Sequence, residues 1–330
     1  MRPVLARPAD PAEYWRLIIP RMSEIAPPEL GRMARWCMVL DPAEPQGKSV
    51  YMHAVRMHRG QKLRRAVLPF TKQTRAVSFA GHTLTFQEDG PSEQFFSRVM
   101  RGDAMHEVGL LSYLRDHVRD GDVLIDVGAH VGYVACFAAA FGAAVLAVEM
   151  QPTLVPVIAA NAITNGLWRV HPINAAMGAR AGLAQSTRID PSPGLMTVSE
   201  KPSSHHYGSA SLNHDIILRA CLDDLSLDDE GPPAYVKIDV EGAEALVVAG
   251  ARRLIEAGRT TFLVEIHPEL LSTFGSTRAQ ILDAFPADRY DRGLLREDGR
   301  VEAMPAEAFA REAVRADNYM IVFTPIGPPA

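Results

Sequence analysis

From Val123 to His267 the chain alternates short, nearly unbroken apolar runs with segments of helical period, and this alternation limits the fold more than any other feature. The runs are Val123–Gly128 (VLIDVG), Ala143–Glu149 (AAVLAVE), RVHPINAAMG, Tyr235–Glu241 (YVKIDVE) and Thr261–His267 (TTFLVEIH). Between and after them, Val131–Phe141, Pro152–Asn165, Ala243–Ala257 and Thr277–Phe285 read as helices. Strands that are apolar on both faces need helices on both faces, which predicts parallel β/α units. Two late strands, in YDRGLLREDGRVEA and NYMIVFTP, are expected to close one edge. The expected class is therefore α/β: a Rossmann-like, mostly parallel seven-stranded sheet with helices on both faces.

Residues 1–104 read as an α+β extension that could shape a substrate pocket or an oligomer contact, and 105–330 as the main domain. In the extension, Glu13–Ile25 patterns as an amphipathic helix ended by Pro27-Pro28. The runs SVYMHAV, RRAVLPF and RAVSFAGHTLTF look β-like, the last as a hairpin about a Gly-centred turn. Ser92–Arg101 and Met105–Val118 read as helices. Gln185–Leu222 interrupts the alternation with polar text, and such an insertion between core strands is expected to be a functional lid or a disordered loop.

Composition removes several classes. At 330 residues, 47% apolar and 22% charged, the chain suits a globular domain with an added module. A net charge of -5 without a basic stripe argues against nucleic acid as the partner. Cys37, Cys136 and Cys221 are far apart and lack CxxC spacing, so neither a disulfide framework nor a thiolate metal site is indicated. The N-terminal text has no apolar signal core, and the most apolar stretch, Val131–Val148, is broken by Gly142. The expectation is a cytoplasmic protein without a membrane span, with homo-oligomerisation open.

Three motifs carry chemistry. DVGAHVG follows a strand and opens a helix; small residues at Gly128, Ala129 and Gly132 let a ligand approach the backbone, and N–H groups at the helix start can bind a polar group. Glu149 ends the next strand 23 residues after Asp126, where a carboxylate can accept two ribose hydroxyls. Together these imply an adenosine-containing cofactor. A dinucleotide fingerprint needs a second glycine where Ala129 stands, and the Asp126 carboxylate repels a pyrophosphate but suits the ammonium of S-adenosylmethionine (SAM). The alternative is that Asp126 only caps its own loop. Asp126, Gly128, Ala129, His130, Gly132, Glu149 and Asp239 are the cofactor-binding candidates.

In VKIDVEGAE, Lys237 and Asp239 alternate with apolar residues, and charges in such a strand must be paired or used. Glu241 and Glu244 fall at a helix head, where both could simply stabilise its positive end. In FLVEIHPELL, Glu265 and His267 end a strand on one face, and histidine can act as a base near neutral pH or be a hydrogen-bonded strand end. The catalytic candidates are Asp239, His267, Lys237 and Glu241; Glu265, with His206 and Tyr207 from the insertion, is a candidate for the acceptor. Asp239, Glu241 and Glu265 could offer oxygen ligands to a divalent metal, but the spacing does not demand one.

The set DVGAHVG, Glu149, the Asn161–Asn165 pair, Leu222-Asp223, VKIDVEGAE with Gly250, and LVEIH resembles the FkbM-type methyltransferase family in order and spacing, over about Met105 to Phe323. The resemblance implies SAM as cofactor and O-methylation of a small-molecule or glycan hydroxyl, on a sugar, polyketide or related natural product. It puts Asp126, Gly128 and Glu149 along the cofactor, and Lys237, Asp239, Glu241 and Glu265 at the reaction end. Two departures are His130, where the family loop has Asn, and Met150-Gln151 between Glu149 and Pro152. An NAD-dependent oxidoreductase on the same fold and a non-catalytic adenosyl-binding protein are the rival readings.

Overall fold

The computed structural model describes residues 73–88, 92–93, 95–100, 105–188, 196–199, 214–225, 232–303 and 318–327. The expected helix at 13–25 and the β-like runs at 49–72 lie outside them. In chain order the described elements begin with β1 (Thr74–Phe79) and β2 (His82–Gln87), the expected hairpin. A π-helical turn (Phe95–Val99) replaces the helix expected over Ser92–Arg101. Then come α1 (Val108–His117), β3 (Val123–Val127), α2 (Tyr133–Ala140), β4 (Ala144–Glu149), α3 (Val155–Thr164) and β5 (Val170–Asn174). Next are β6 (Ala176–Met177), β7 (Gly182–Arg188), β8 (Met196–Ser199), β9 (His214–Ala220) and β10 (Tyr235–Ile238). The chain continues with α4 (Glu244–Ala249), α5 (Arg252–Ala257), β11 (Thr261–Ile266), α6 (Pro268–Leu271), α7 (Arg278–Ala284), β12 (Tyr290–Leu295), β13 (Val301–Ala303) and β14 (Tyr319–Pro325).

The main sheet has the order β13-β12-β14-β11-β10-β3-β4-β5. β5, β4, β3, β10 and β11 run parallel, and β14, β12 and β13 add antiparallel pairings at one edge. The sheet thus has eight strands rather than the expected seven, because the turn after β12 returns as the short β13. Alternation along the strands feeds two cores. Leu124 and Leu263 point into one, with α1, α2 and the hairpin; Ile125, Val127, Phe262 and Val264 point into the other, with α4, α5 and α7. No helix among the described residues is long and apolar enough to cross a membrane.

The chain winds from β3 outward through β4 to β5, then returns to lay β10 on the other side of β3. That reversal opens a crevice at the carboxyl ends of β3 and β10, where ligands bind in open parallel sheets.

Three expectations are corrected. The segment at 185–222 contributes β7 and β9 and, through β8, most of a four-stranded second sheet of order β6-β9-β7-β8. Its strands escaped notice because β7 (GLAQSTR) is mostly small and polar and the apolar residues of β9 run together, with Leu218 exposed beside buried Ile217, so neither strand alternates apolar with polar. The helix expected over Ala243–Ala257 is two helices, broken where Gly250 presses its α-carbon against the Gly178 carbonyl, 2.1 Å from where a Cβ would stand. The strand expected over Tyr235–Glu241 ends at Ile238, which leaves Asp239 and Glu241 on the following loop.

The break drawn at residue 104 does not correspond to a break in packing. Val77, Leu84, Phe86, Phe95 and Phe96 are buried in the same core as α2 and α3. Asn161 of α3 and Asn165, which caps its end, bind the hairpin as a neighbouring strand would. Asn165 accepts from the Thr85 N–H (2.7 Å) and donates to its carbonyl (2.8 Å), while Asn161 accepts from the Gln87 N–H (2.8 Å) and donates to the Val131 carbonyl (2.8 Å). Asn161 is wholly buried. Asn161→Ala would strand two buried backbone groups at about 1–3 kcal/mol each. The expected loss is about 2–4 kcal/mol in denaturant unfolding, with faster hydrogen exchange at Gln87; an unchanged midpoint would refute this anchoring.

Candidate active site

A cavity of about 430 Å³ occupies the crevice, lined by the β3–α2 loop, the ends of β4, β10 and β11, the turn before α1, and Met177, Gly178 and Arg219 of the second sheet. Gly128 turns the chain out of β3 at φ 80°, and a Cβ there would fall 1.8 Å from the Asp239 carbonyl oxygen. Gly132 heads α2 and packs on Ile158.

Four N–H groups of the loop are committed within the protein. Gly128 and Ala129 donate to the Val148 carbonyl (2.9 and 3.1 Å), Gly132 to the Ala129 carbonyl (2.7 Å), and His130 to Glu149 Oε2 (2.8 Å). These four donors are therefore not open to a ligand, which leaves the loop fewer amides for a pyrophosphate than a dinucleotide site uses. Glu149, nearly buried, also accepts from the Gln151 N–H (2.7 Å), so both its oxygens are fixed in orientation at the cavity wall. Burial pushes its carboxyl up to about 7, against those two amides.

Asp126 and Lys237 are cross-strand partners on β3 and β10. The Lys237 ammonium donates to Asp239 Oδ2 (3.2 Å) and the Gly128 carbonyl (3.3 Å), and it forms an ion pair with Asp126 Oδ1 at 3.2 Å without an aligned hydrogen bond. Burial pulls the ammonium down, but Asp126 and Asp239 outweigh it and hold it well above its ordinary value. Asp126 is fully buried and forms no part of the cavity wall. It sits behind Lys237, the cavity-lining residue it pairs with. Lys237 in turn aims Asp239, whose carboxyl is held low by that ammonium despite burial.

His267 follows β11, nearly buried. Its Nδ1 meets Glu244 Oε1 at 2.7 Å, and Glu244 also accepts from the Gly242 N–H at 2.8 Å. Glu244 is therefore an enclosed partner of His267 rather than a dressing of the helix head. Nε2 faces Glu241 (3.4 Å), Asp239 (3.7 Å) and Glu265 (3.9 Å). Burial works against the imidazolium, but Glu244, Glu241 and Asp239 prevail and raise His267 to about 9.

Sequence reasoning missed Glu107, in the turn before α1. Its Oε2 is buried without a hydrogen-bond partner, and burial raises the carboxyl to about 8 against the pull of Lys237. Glu265 is raised to about 7, again by burial first and then by Asp239. Beside these acids stands a wall the sequence did not announce: Phe95 packs on His106 and His130 at 5.4 Å each. Burial lowers both imidazoles to about 4, so the wall is neutral and aromatic. Glu107, His130 and Glu241 line the cavity and hold left-handed backbone at φ 50°, 52° and 52°, unusual for residues other than glycine. His206 and Tyr207 lie outside the described residues.

The profile of the Methyltransferase FkbM domain matches residues 126–291, and the chain belongs to the FkbM methyltransferase family. Its five parallel strands and antiparallel edge form the Rossmann-like sheet of SAM-dependent methyltransferases. A solved FkbM methyltransferase from Methylobacillus flagellatus is 16% identical, with 67% of this chain and 48% of that one covered, at a TM-score of 0.40. The chain thus spans about half the length of that protein. A TehB-like SAM-dependent methyltransferase from Corynebacterium glutamicum is 9% identical over 71% of this chain and 96% of that one, at 0.40. A precorrin-6y C5,15-methyltransferase from Geobacter metallireducens is 16% identical over 66% and 86%, at 0.36. No curated protein matches the chain.

Proposed function

We propose that this methyltransferase binds SAM along the β3–β4 side of the cavity and methylates a hydroxyl of a small-molecule or glycan acceptor held over β10 and β11. The observation that carries this reading is the division of labour at the loop. Four of its amides are spent internally, and the carboxylates facing the cavity, Glu107, Glu149, Asp239, Glu241 and Glu265, outnumber its cations Lys237 and Arg219, a lining that reads hydroxyls and positive charge better than phosphate. That favours SAM over a dinucleotide, and a melting-temperature shift with SAM but not NAD separates the two.

Glu149, oriented by two amides, is placed to accept the ribose hydroxyls. Glu149→Ala should weaken SAM about a hundredfold in calorimetry, as two charge-assisted hydrogen bonds are lost. The hydroxyl donors favour the ionised carboxylate, whose value without ligand is about 7. Affinity should therefore be full above that pH and fall as pH drops through it. Retained affinity in the variant would refute the placement.

When bound, SAM supplies a methyl group that is already electrophilic, on a sulfonium. The residues position the acceptor and manage one proton. Glu107 fits the proton acceptor best: it faces the cavity, has an unpartnered oxygen, and is raised into the range where a carboxylate is an effective base near neutral pH. A nearby sulfonium charge would draw it back toward ionisation. In that transfer Glu107 would receive the acceptor's hydroxyl proton, and the bonding pair of the departing methyl would remain with the cofactor. Lys237 and Asp126 act as positioning residues.

A further inference from the structure

Asp239, Glu265 and His267 each present one ligand atom within 4.8 Å of the other two, at the carboxyl ends of β10 and β11. We propose that these three residues form a divalent-cation site that takes a transition ion such as Mn²⁺ or Zn²⁺ and, resting on the methyl-transfer reading above, holds two neighbouring oxygens of the acceptor.

Four observations carry it. First, the spacing fits. Metal bonds of about 2.1 Å place adjacent ligands about 3 Å apart and opposed ones about 4.2 Å apart. His267 Nε2 is 3.7 Å from Asp239 and 3.9 Å from Glu265, so small side-chain rotations close the set. Second, His267 is only 2% exposed and its Nε2 points at carboxylates without an aligned hydrogen bond to any of them. Third, the other ring nitrogen is fixed by Glu244, itself fully buried. A carboxylate behind a histidine is the usual outer support of a metal-bound imidazole, setting its tautomer and aim. Fourth, a polar side chain is left open beside the cluster: Glu107 Oε2 is buried and unpartnered in the same cavity, and Lys237, the neighbouring cation, is already shared by Asp126 and Asp239.

The mixed donor set points to the ion class. One imidazole and two carboxylates suit the first-row divalent ions better than Ca²⁺, which prefers oxygen alone. Three protein ligands leave coordination positions open, as in sites that bind substrate. An acceptor with oxygens on adjacent carbons, a vicinal diol or a hydroxyl beside a carbonyl, would fill two of them. The ion would then hold the reacting oxygen and lower its proton affinity, leaving the proton to Glu107 and the methyl chemistry unchanged.

The test is metal binding on the full-length chain after chelator treatment and dialysis. Mn²⁺ and Zn²⁺ are titrated separately by calorimetry, and bound Mn²⁺ is read by electron paramagnetic resonance. One saturable site per chain is expected, with a nitrogen hyperfine coupling to bound Mn²⁺ that vanishes in His267→Asn. Glu265→Gln, at a partly exposed position, should weaken binding at least tenfold, and Glu244→Gln tenfold to a hundredfold. Melting curves identify any variant that has lost its fold. Absence of saturable binding for both ions, or unchanged affinity in folded Glu265→Gln and His267→Asn, would overturn the site. SAM binding is measured on the same samples without metal. Its persistence when metal binding fails overturns only this inference, and its absence when metal binds overturns the cofactor reading instead.

Discussion

Lys237→Met is expected to destabilise the fold by about 3–5 kcal/mol, the usual cost of removing one partner from a buried ion pair. Methionine fills the lysine's volume, so the loss reports charge rather than packing. Asp126, without exposure, would keep a carboxylate with no cation within reach, and Asp239 would lose the group that aims it. The double variant Asp126→Asn with Lys237→Met should recover a large part of the loss, because its buried pair is neutral. A double-mutant cycle by urea unfolding measures the coupling. Additive losses would mean that the two residues do not act as a pair. The cofactor affinity of the double variant carries a second answer: if Asp126 only fixes Lys237, SAM should still bind once the fold is restored.

Gly128→Ala is the second large effect. The added carbon would fall 1.8 Å from the Asp239 carbonyl oxygen, and backbone cannot yield as a flexible side chain does. The φ of 80° adds strain for any residue with a Cβ. About 3 kcal/mol or more of stability should be lost, since the loop and the end of β10 have to part. That same parting displaces Asp239, so cofactor affinity and turnover should fall together. Thermal melts and SAM calorimetry check both; an alanine variant with wild-type melting would show that the two loops do not meet.

These two positions also mark what the sequence could and could not tell. The strands of the main sheet were legible because each is a short apolar run with turn residues at its ends, and the hairpin at 74–87 because its alternation surrounds Ala80-Gly81. The chemistry-bearing residues at strand ends were legible for the same reason: charge in an apolar run is conspicuous. Their pairings were not. Asp126 and Lys237 are 111 positions apart, and only the register between β3 and β10 makes them neighbours. Glu244 looked like a helix-head acid, yet it is turned inward to His267 across 23 positions. Glu107 carried no signal, since it stands in a left-handed turn ahead of a helix and its burial depends on the whole cavity closing around it. Which of the loop's amides are used was not legible either: a strand-to-helix turn can spend donors on the neighbouring strand, and here Val148 and Glu149 take those of Gly128, Ala129 and His130.

The left-handed residues around the cavity have a consequence of their own. Glu107, His130 and Glu241 each hold a conformation that glycine would adopt without penalty, at a cost of order 1 kcal/mol per residue. The chain keeps side chains there because the cavity wall is made of them. The rim therefore stores tension that folding elsewhere must overcome. Firmness and chemical content are opposed at these three points: the sturdiest version of this loop set would also be the least able to recognise anything.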